Sequence, residues 1–146
     1  MRTLLLALSL AAAAPALAQP DAAREPSDLA QIEAVLGLYF RGHETGRGTY
    51  FQQAFHPDAR MVSVGDDGAV RETALRTWWE RPDGRPADDE ADRRRRVVRI
   101  EVSGTVAAAT LELDYPGVVL HDHMTLLKSD GRWQIVTKAF AAMPKR

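Results

Sequence analysis

Residues 105–140 read T-V-A-A-A-T-L-E-L-D-Y-P-G-V-V-L-H-D-H-M-T-L-L-K-S-D-G-R-W-Q-I-V-T-K-A-F, from Thr105 to Phe140, and this stretch decides the fold. Three apolar, β-rich runs are interrupted at Pro116-Gly117 and at Ser129-Asp130-Gly131, the punctuation of an antiparallel meander. Asp122 and Lys138 fall inside otherwise apolar runs. A sheet that curves around a pocket accommodates such charges, whereas a flat, one-sided sheet does not.

Ser129-Asp130-Gly131 fits a three-residue hairpin loop with Gly131 in the left-handed position. Lys128 then faces Arg132, and the ladder sets Asp122 opposite Lys138, Met124 opposite Val136 and Leu120 opposite Phe140. Side chains alternate at period two, so these six share one face. His121, His123, Thr125 and Leu127 take the other, against Ala139, Thr137, Ile135 and Trp133. The Asp122–Lys138 pair reads either as a neutralised ion pair at the rim of the core or as the polar spot of an apolar ligand pocket. Burying such a pair adds little net stability. A two-residue loop would shift the register by one and turn Lys138 off that face.

Working outward from the meander, Val97, Val98, Ile100 and Val102 begin the main sheet. Upstream, Ser27 or Asp28 is placed to cap a helix, whose apolar stripe is Leu29, Ile32, Val35, Leu36, Tyr39 and Phe40. Gly46 and Gly48 end it. A shorter helix spans Thr49 to Phe55 and is broken by His56-Pro57-Asp58. A strand over Arg60–Val64, a turn at Asp66-Asp67-Gly68 and a return strand over Ala69–Glu72 precede a helix over Thr73–Glu80. Trp78 and Trp79 are adjacent and diverge by about 100° on a helix, so one faces the core and the other is a pocket wall or lid. Pro82 to Asp92 is an aperiodic polar loop. Helix, helix, hairpin, helix and four long strands make an α+β chain with helices on one face of a bent antiparallel sheet.

The first residues read as a leader. Met1-Arg2 is a short basic start, Leu4–Ala14 is apolar, and Ala16-Leu17-Ala18 is a cleavage signal before Gln19. The expected organisation is a signal peptide over 1–18, a flexible leader over 19–27, one domain over 28–141 and a tail over 142–146. The protein is expected to be exported, periplasmic or secreted, with no membrane association after cleavage. The chain has no Cys, which removes thiol nucleophiles and Cys-ligated metals and leaves stability to packing. Nineteen basic against twenty acidic residues give a formal net charge of −1, a balance that disfavours nucleic acid as partner.

Tyr39-Phe40, Ala54-Phe55-His56-Pro57-Asp58-Ala59, Glu112-Leu113-Asp114-Tyr115-Pro116-Gly117 and Leu126-Leu127-Lys128 with Asp130-Gly131-Arg132-Trp133-Gln134-Ile135-Val136 together resemble the lumazine-binding family. That family belongs to the nuclear transport factor 2-like (NTF2-like, SnoaL-like) superfamily. The likeness runs from about Asp28 to Phe140 and implies a cone-shaped α+β fold, helices packed on a curved sheet. The superfamily includes ketosteroid isomerases, which hold an oxyanion with a helical Tyr and a strand carboxylic acid beside a carboxylate base. Tyr39 matches the Tyr and Asp122 the acid, but the base position falls on Ser63. An unassisted hydroxyl does not abstract a carbon-bound proton at neutral pH, so isomerisation by that route is not expected.

Two further signals read as bland. His121-x-His123 presents two imidazoles from one strand face, and a metal there would need His43 or His56 as third ligand. The pair lies on the face away from the helices, where a subunit interface or solvent is expected rather than a metal. Arg93–Arg96 follows the acidic stretch Asp88–Asp92 and reads as a solvated strand entry or edge guard. The expected function is binding of an unidentified small, partly aromatic molecule, with no cofactor and no metal, by a homodimer. Tyr39 and Asp122 would bond its polar end, Lys138 would set charge, and Met124, Phe140 and Trp78 would supply apolar contact. The alternatives are a lyase, cyclase or isomerase with His56 or Asp58 as base, and an interaction module whose interior is filled by side chains.

Overall fold

A computed structural model describes residues 26–80 and 84–146. The expected signal peptide lies outside the described residues, as does most of the leader. Two helices come first, α1 (Asp28–Thr45) and α2 (Gly48–Ala54). Ser27 caps α1 by accepting a bond from the Ala30 amide at 3.2 Å, and Gly46 closes it at φ 69°, a conformation that favours glycine. Asp28 accepts from Lys128 Nζ at 2.7 Å and from Trp133 Nε1 at 3.0 Å, which ties the start of α1 to the last hairpin.

Strands β1 (Phe55–Val64) and β2 (Val70–Ala74) form the first hairpin, followed by the four-residue helix α3 (Arg76–Trp79). A 3-10 turn over Glu90–Asp92 leads into β3 (Arg94–Ser103), β4 (Val106–Tyr115), β5 (Val118–Ser129) and β6 (Arg132–Pro144). The sheet order is β2-β1-β6-β5-β4-β3. Neighbours are antiparallel except β1 and β6, which run parallel, so the sheet is mixed rather than antiparallel throughout. The second helix ends at Ala54, just ahead of His56-Pro57-Asp58 as expected, but this tripeptide is part of a strand and not a loop. It lies within β1, where the register with β6 shifts between Phe55 and Arg60, and an irregular stretch tolerates a residue that lacks an N–H. β6 continues past Ala141, where the sequence reading ended the domain, to Pro144.

The helices cover the inner sheet face. Ile32, Leu36 and Tyr39 of α1 meet Leu111, Leu113, Leu126 and Ile135, all at most 1% exposed, and each such aliphatic side chain contributes about 1.5–3 kcal/mol on burial. Leu29 is 47% exposed and stands off the stripe expected to bury it.

The expected register is corrected at two points. The β5–β6 loop has two residues, not three: Ser129 pairs with Arg132, and Lys128 with Trp133. Asp130 and Gly131 both have positive φ, 50° and 75°, the signature of a type I′ turn. The ladder then slips again between Thr125 and Leu126, with Leu126 opposite Ile135 but Thr125 opposite Thr137. Val136 is the extra residue of a bulge. Met124 therefore faces Lys138 rather than Val136, Asp122 faces Phe140, and Leu120 faces Ala142. Ile135 and Trp133, expected outside, are buried at 0% and 3% exposure.

Candidate functional site

Asp122 and Lys138 are the buried charged residues of the described core, at 0% and 3% exposure. One slip from the turn would have put Lys138 on the outer face, and the bulge at Val136 returns it to the inner one. The two are diagonal neighbours, with Lys138 Nζ 3.0 Å from Asp122 Oδ1. That contact lies off the line of a directed hydrogen bond, so it is an ion pair. Tyr39 completes the group, donating its hydroxyl proton to Asp122 Oδ2 at 2.5 Å and accepting from Lys138 Nζ at 2.7 Å. The polar chain runs from ammonium through phenol to carboxylate. Burial pushes the Lys138 amine below its ordinary pKa, against the opposing pull of Asp122. Burial also raises the Tyr39 phenol well above its usual value, and the Asp122 charge adds to the effect.

Lys138 Nζ is caged by rings, 5.2 Å from the Tyr39 centroid, 5.5 Å from Trp78 and 5.1 Å from Phe140. Such distances are those of cation–π contacts. Trp78 and Trp79 do diverge: Trp79 stacks on Phe55 with centroids 6.1 Å apart, while Trp78 turns its edge to His43 and Phe51. Both Trp are half-buried.

His43, weighed from the sequence only as a third ligand for a metal at His121 and His123, instead joins this aromatic group. It follows Tyr39 by one helical turn, and that spacing puts both on one face of α1. Its ring meets Tyr39 edge-on with centroids 4.6 Å apart, and Phe51 at 5.2 Å. His43 is half-buried as a residue, but its Nε2 is sealed from solvent and finds no hydrogen-bond partner among the described residues. Burial, with Lys138, Arg95 and Arg93 nearby, lowers its pKa to about 3, so the imidazole is neutral. A cavity of about 370 Å³ is lined by His43, Phe51, Trp78 and the glycines 42, 46, 48 and 84.

Of the residues expected to touch a ligand, Trp78 lines this cavity, and Tyr39, Asp122 and Lys138 bond one another behind it. Met124 is buried beneath the pair. Phe140 lines a separate recess with Ser63, Val64 and Asp66, so the Ser63 position does border Phe140. His56 and Asp58 pair locally, the His56 Nδ1 accepting from the Asp58 amide at 3.2 Å. Asp58 is 89% exposed, and the recess it lines contains neither Tyr39 nor Asp122. Among the described residues, neither side chain hydrogen-bonds to Tyr39, Asp122 or Lys138.

On the outer face, His121 lies opposite Glu112 and His123 opposite Thr110. Glu112 is engaged by Arg96 at 2.9 Å through both oxygens. No set of three potential metal ligands occurs among the described residues. In Arg93–Arg96 the side chains alternate as strand geometry requires. Arg94 and Arg96 are exposed on the edge strand. Arg95 turns inward, forks onto Glu90 at 2.5 and 2.9 Å and donates to the Tyr115 hydroxyl at 2.9 Å.

A model of the family described as "Putative lumazine-binding" matches residues 27–141. The chain belongs to that family. This lumazine-binding-family protein is also similar to solved NTF2-like proteins. One from Methylobacillus flagellatus is 33% identical, with a TM-score of 0.66, over 82% of this chain and 96% of that one. One from Shewanella baltica is 25% identical, with a TM-score of 0.69, over 79% and 93%. The α+β, NTF2-like architecture expected from the sequence is thus the observed one. Among curated relatives, Aldolase FrzH of Cladobotryum sp is 23% identical over 119 residues, 82% of this chain and 94% of that protein.

Proposed function

We propose that this lumazine-binding-family protein binds a small, partly aromatic molecule in the cavity between α1, α2 and α3. The observation that carries this reading is the unpartnered, solvent-sealed Nε2 of His43 in the wall of an aromatic cavity. A neutral imidazole there offers one hydrogen bond, and leaving it unmade costs about 1–3 kcal/mol. A ligand that parts the covering Trp78 and Phe51 rings reaches this nitrogen and recovers that energy, with the same two rings against its apolar body. Tyr39, Asp122 and Lys138 form the polar back of the site, reached past Trp78. The likeness to a relative named an aldolase favours a carbonyl compound as the ligand class.

The reading includes export and a homodimer. Native mass spectrometry of the protein purified from its own host tests all three parts. The expected spectrum is a dimer of chains beginning at Gln19 that releases a small molecule on denaturation, with occupancy lost in Trp78→Ala. A protein empty from its host, whose Trp78→Ala variant gives the same spectrum, would leave the interaction module as the better account. Asp122 and Lys138 would then serve only to neutralise each other.

A further inference from the structure

We propose that Lys138 captures a small aldehyde or ketone as an imine, with Asp122 and Tyr39 moving the protons. This rests on the cavity reading above, because the carbonyl compound must lodge against Trp78. Three observations support it. Lys138 is one of three lysines in the chain, and Lys128 and Lys145 lie toward solvent against Asp28 and Asp114. Its amine sits against Trp78, a ring that also faces the cavity. A phenol at 2.7 Å and a carboxylate at 3.0 Å stand beside the nitrogen, which is the set of groups that carbonyl condensation requires. Net stability does not explain the arrangement, since an apolar replacement for such a pair is commonly neutral or stabilising.

The proton count closes within the triad. Lys138 gives a proton to Asp122, leaving a neutral amine. The nitrogen lone pair forms the C–N bond as the carbonyl π pair moves to oxygen. That oxygen takes the Tyr39 proton, and Asp122 restores Tyr39. The nitrogen then returns a proton to Asp122, which passes it to the hydroxyl as the C–O bond breaks and water leaves. The net change is ammonium plus carbonyl to iminium plus water, so the net charge of the buried site stays at zero throughout and the starting ion pair is replaced by an iminium–carboxylate pair. Desolvation of the amine favours the first step. Access comes from Trp78, which belongs to a four-residue helix with no side-chain cap and no buried residue.

The test uses Lys128→Arg/Lys145→Arg, which leaves Lys138 as the sole lysine. The protein is treated with benzaldehyde and borohydride at neutral pH, and the reduced adduct is located by peptide mass mapping. Expected is one benzyl group on Lys138, formed faster in Trp78→Ala and lost to background in Lys138→Arg, whose fold is checked by circular dichroism. An ordinary exposed lysine, with a pKa near 10.4, reacts slowly at this pH. Labelling confined to the N-terminal amine overturns the proposal. Benzyl alcohol, similar in shape but without the carbonyl, separates the two readings through a change in tryptophan fluorescence that is present in the wild type and absent in Trp78→Ala. If it binds and benzaldehyde is not trapped, imine formation fails and the cavity reading stands. If neither engages the cavity, both fall.

Discussion

The Nζ of Lys138 lies 2.7 Å from the Tyr39 hydroxyl, joining β6 to α1 across 99 residues of sequence. The contact spans the interface between helices and sheet, so the buried polar chain is also a fastening of the fold. Its loss is a stability event before it is a binding event.

Lys138→Met leaves Asp122 charged and without its cation. Chemical denaturation should show a loss of about 3–5 kcal/mol, and Asp122→Leu/Lys138→Met should recover most of it. A double variant no more stable than the single would mean that the pair contributes through something other than mutual neutralisation.

Tyr39→Phe removes the link between ammonium and carboxylate. The hydroxyl is satisfied internally on both sides, so the expected effect is a destabilisation of about 1–3 kcal/mol. Unfolding midpoints read it directly. An unchanged midpoint would indicate that Lys138 swings onto Asp122 and makes the missing bond.

His43 gives the fold a dependence on pH. Its pKa falls from 6.5 to about 3 on folding, so the unfolded chain takes up a proton that the folded chain refuses. Above about pH 6.5 both states are neutral and the group contributes no slope. Below that, stability falls by at most ~1.4 kcal/mol per pH unit until the folded pKa is reached. Denaturation between pH 6.5 and 4.5 should show a shallower slope in His43→Leu than in the wild type. Parallel slopes would mean that the ring is solvated and protonated in the fold.

Gly42 packs against Phe51. A Cβ at Gly42 would stand 2.6 Å from the Phe51 ring, and that ring lines the cavity. Gly42→Ala should cost about 1–3 kcal/mol through overpacking and push Phe51 into the cavity. Thermal melts measure the first effect, and ligand occupancy by native mass spectrometry measures the second.

The sequence by itself determined the fold class and the order of helices and strands, and it marked Asp122 and Lys138 as charges set inside apolar runs. Hydrophobic period and turn chemistry are local, and they state which residues pair with a core. His43 was legible in principle from its spacing to Tyr39. Nothing in one helix, however, shows that its Nε2 is sealed under Phe51 and Trp78, which arrive from α2 and α3.

Only the tertiary structure decided the register of β6. Asp130-Gly131 adopts a two-residue turn because both residues tolerate positive φ, and alone this would have turned Lys138 outward. The bulge at Val136 reverses that, adjacent to the irregular stretch of β1 around Pro57. Parallel pairing between β1 and β6 is a contact across the whole chain, invisible to local pattern. Burial of Lys138 beside Asp122 and Tyr39 therefore follows from how three distant segments close on one another.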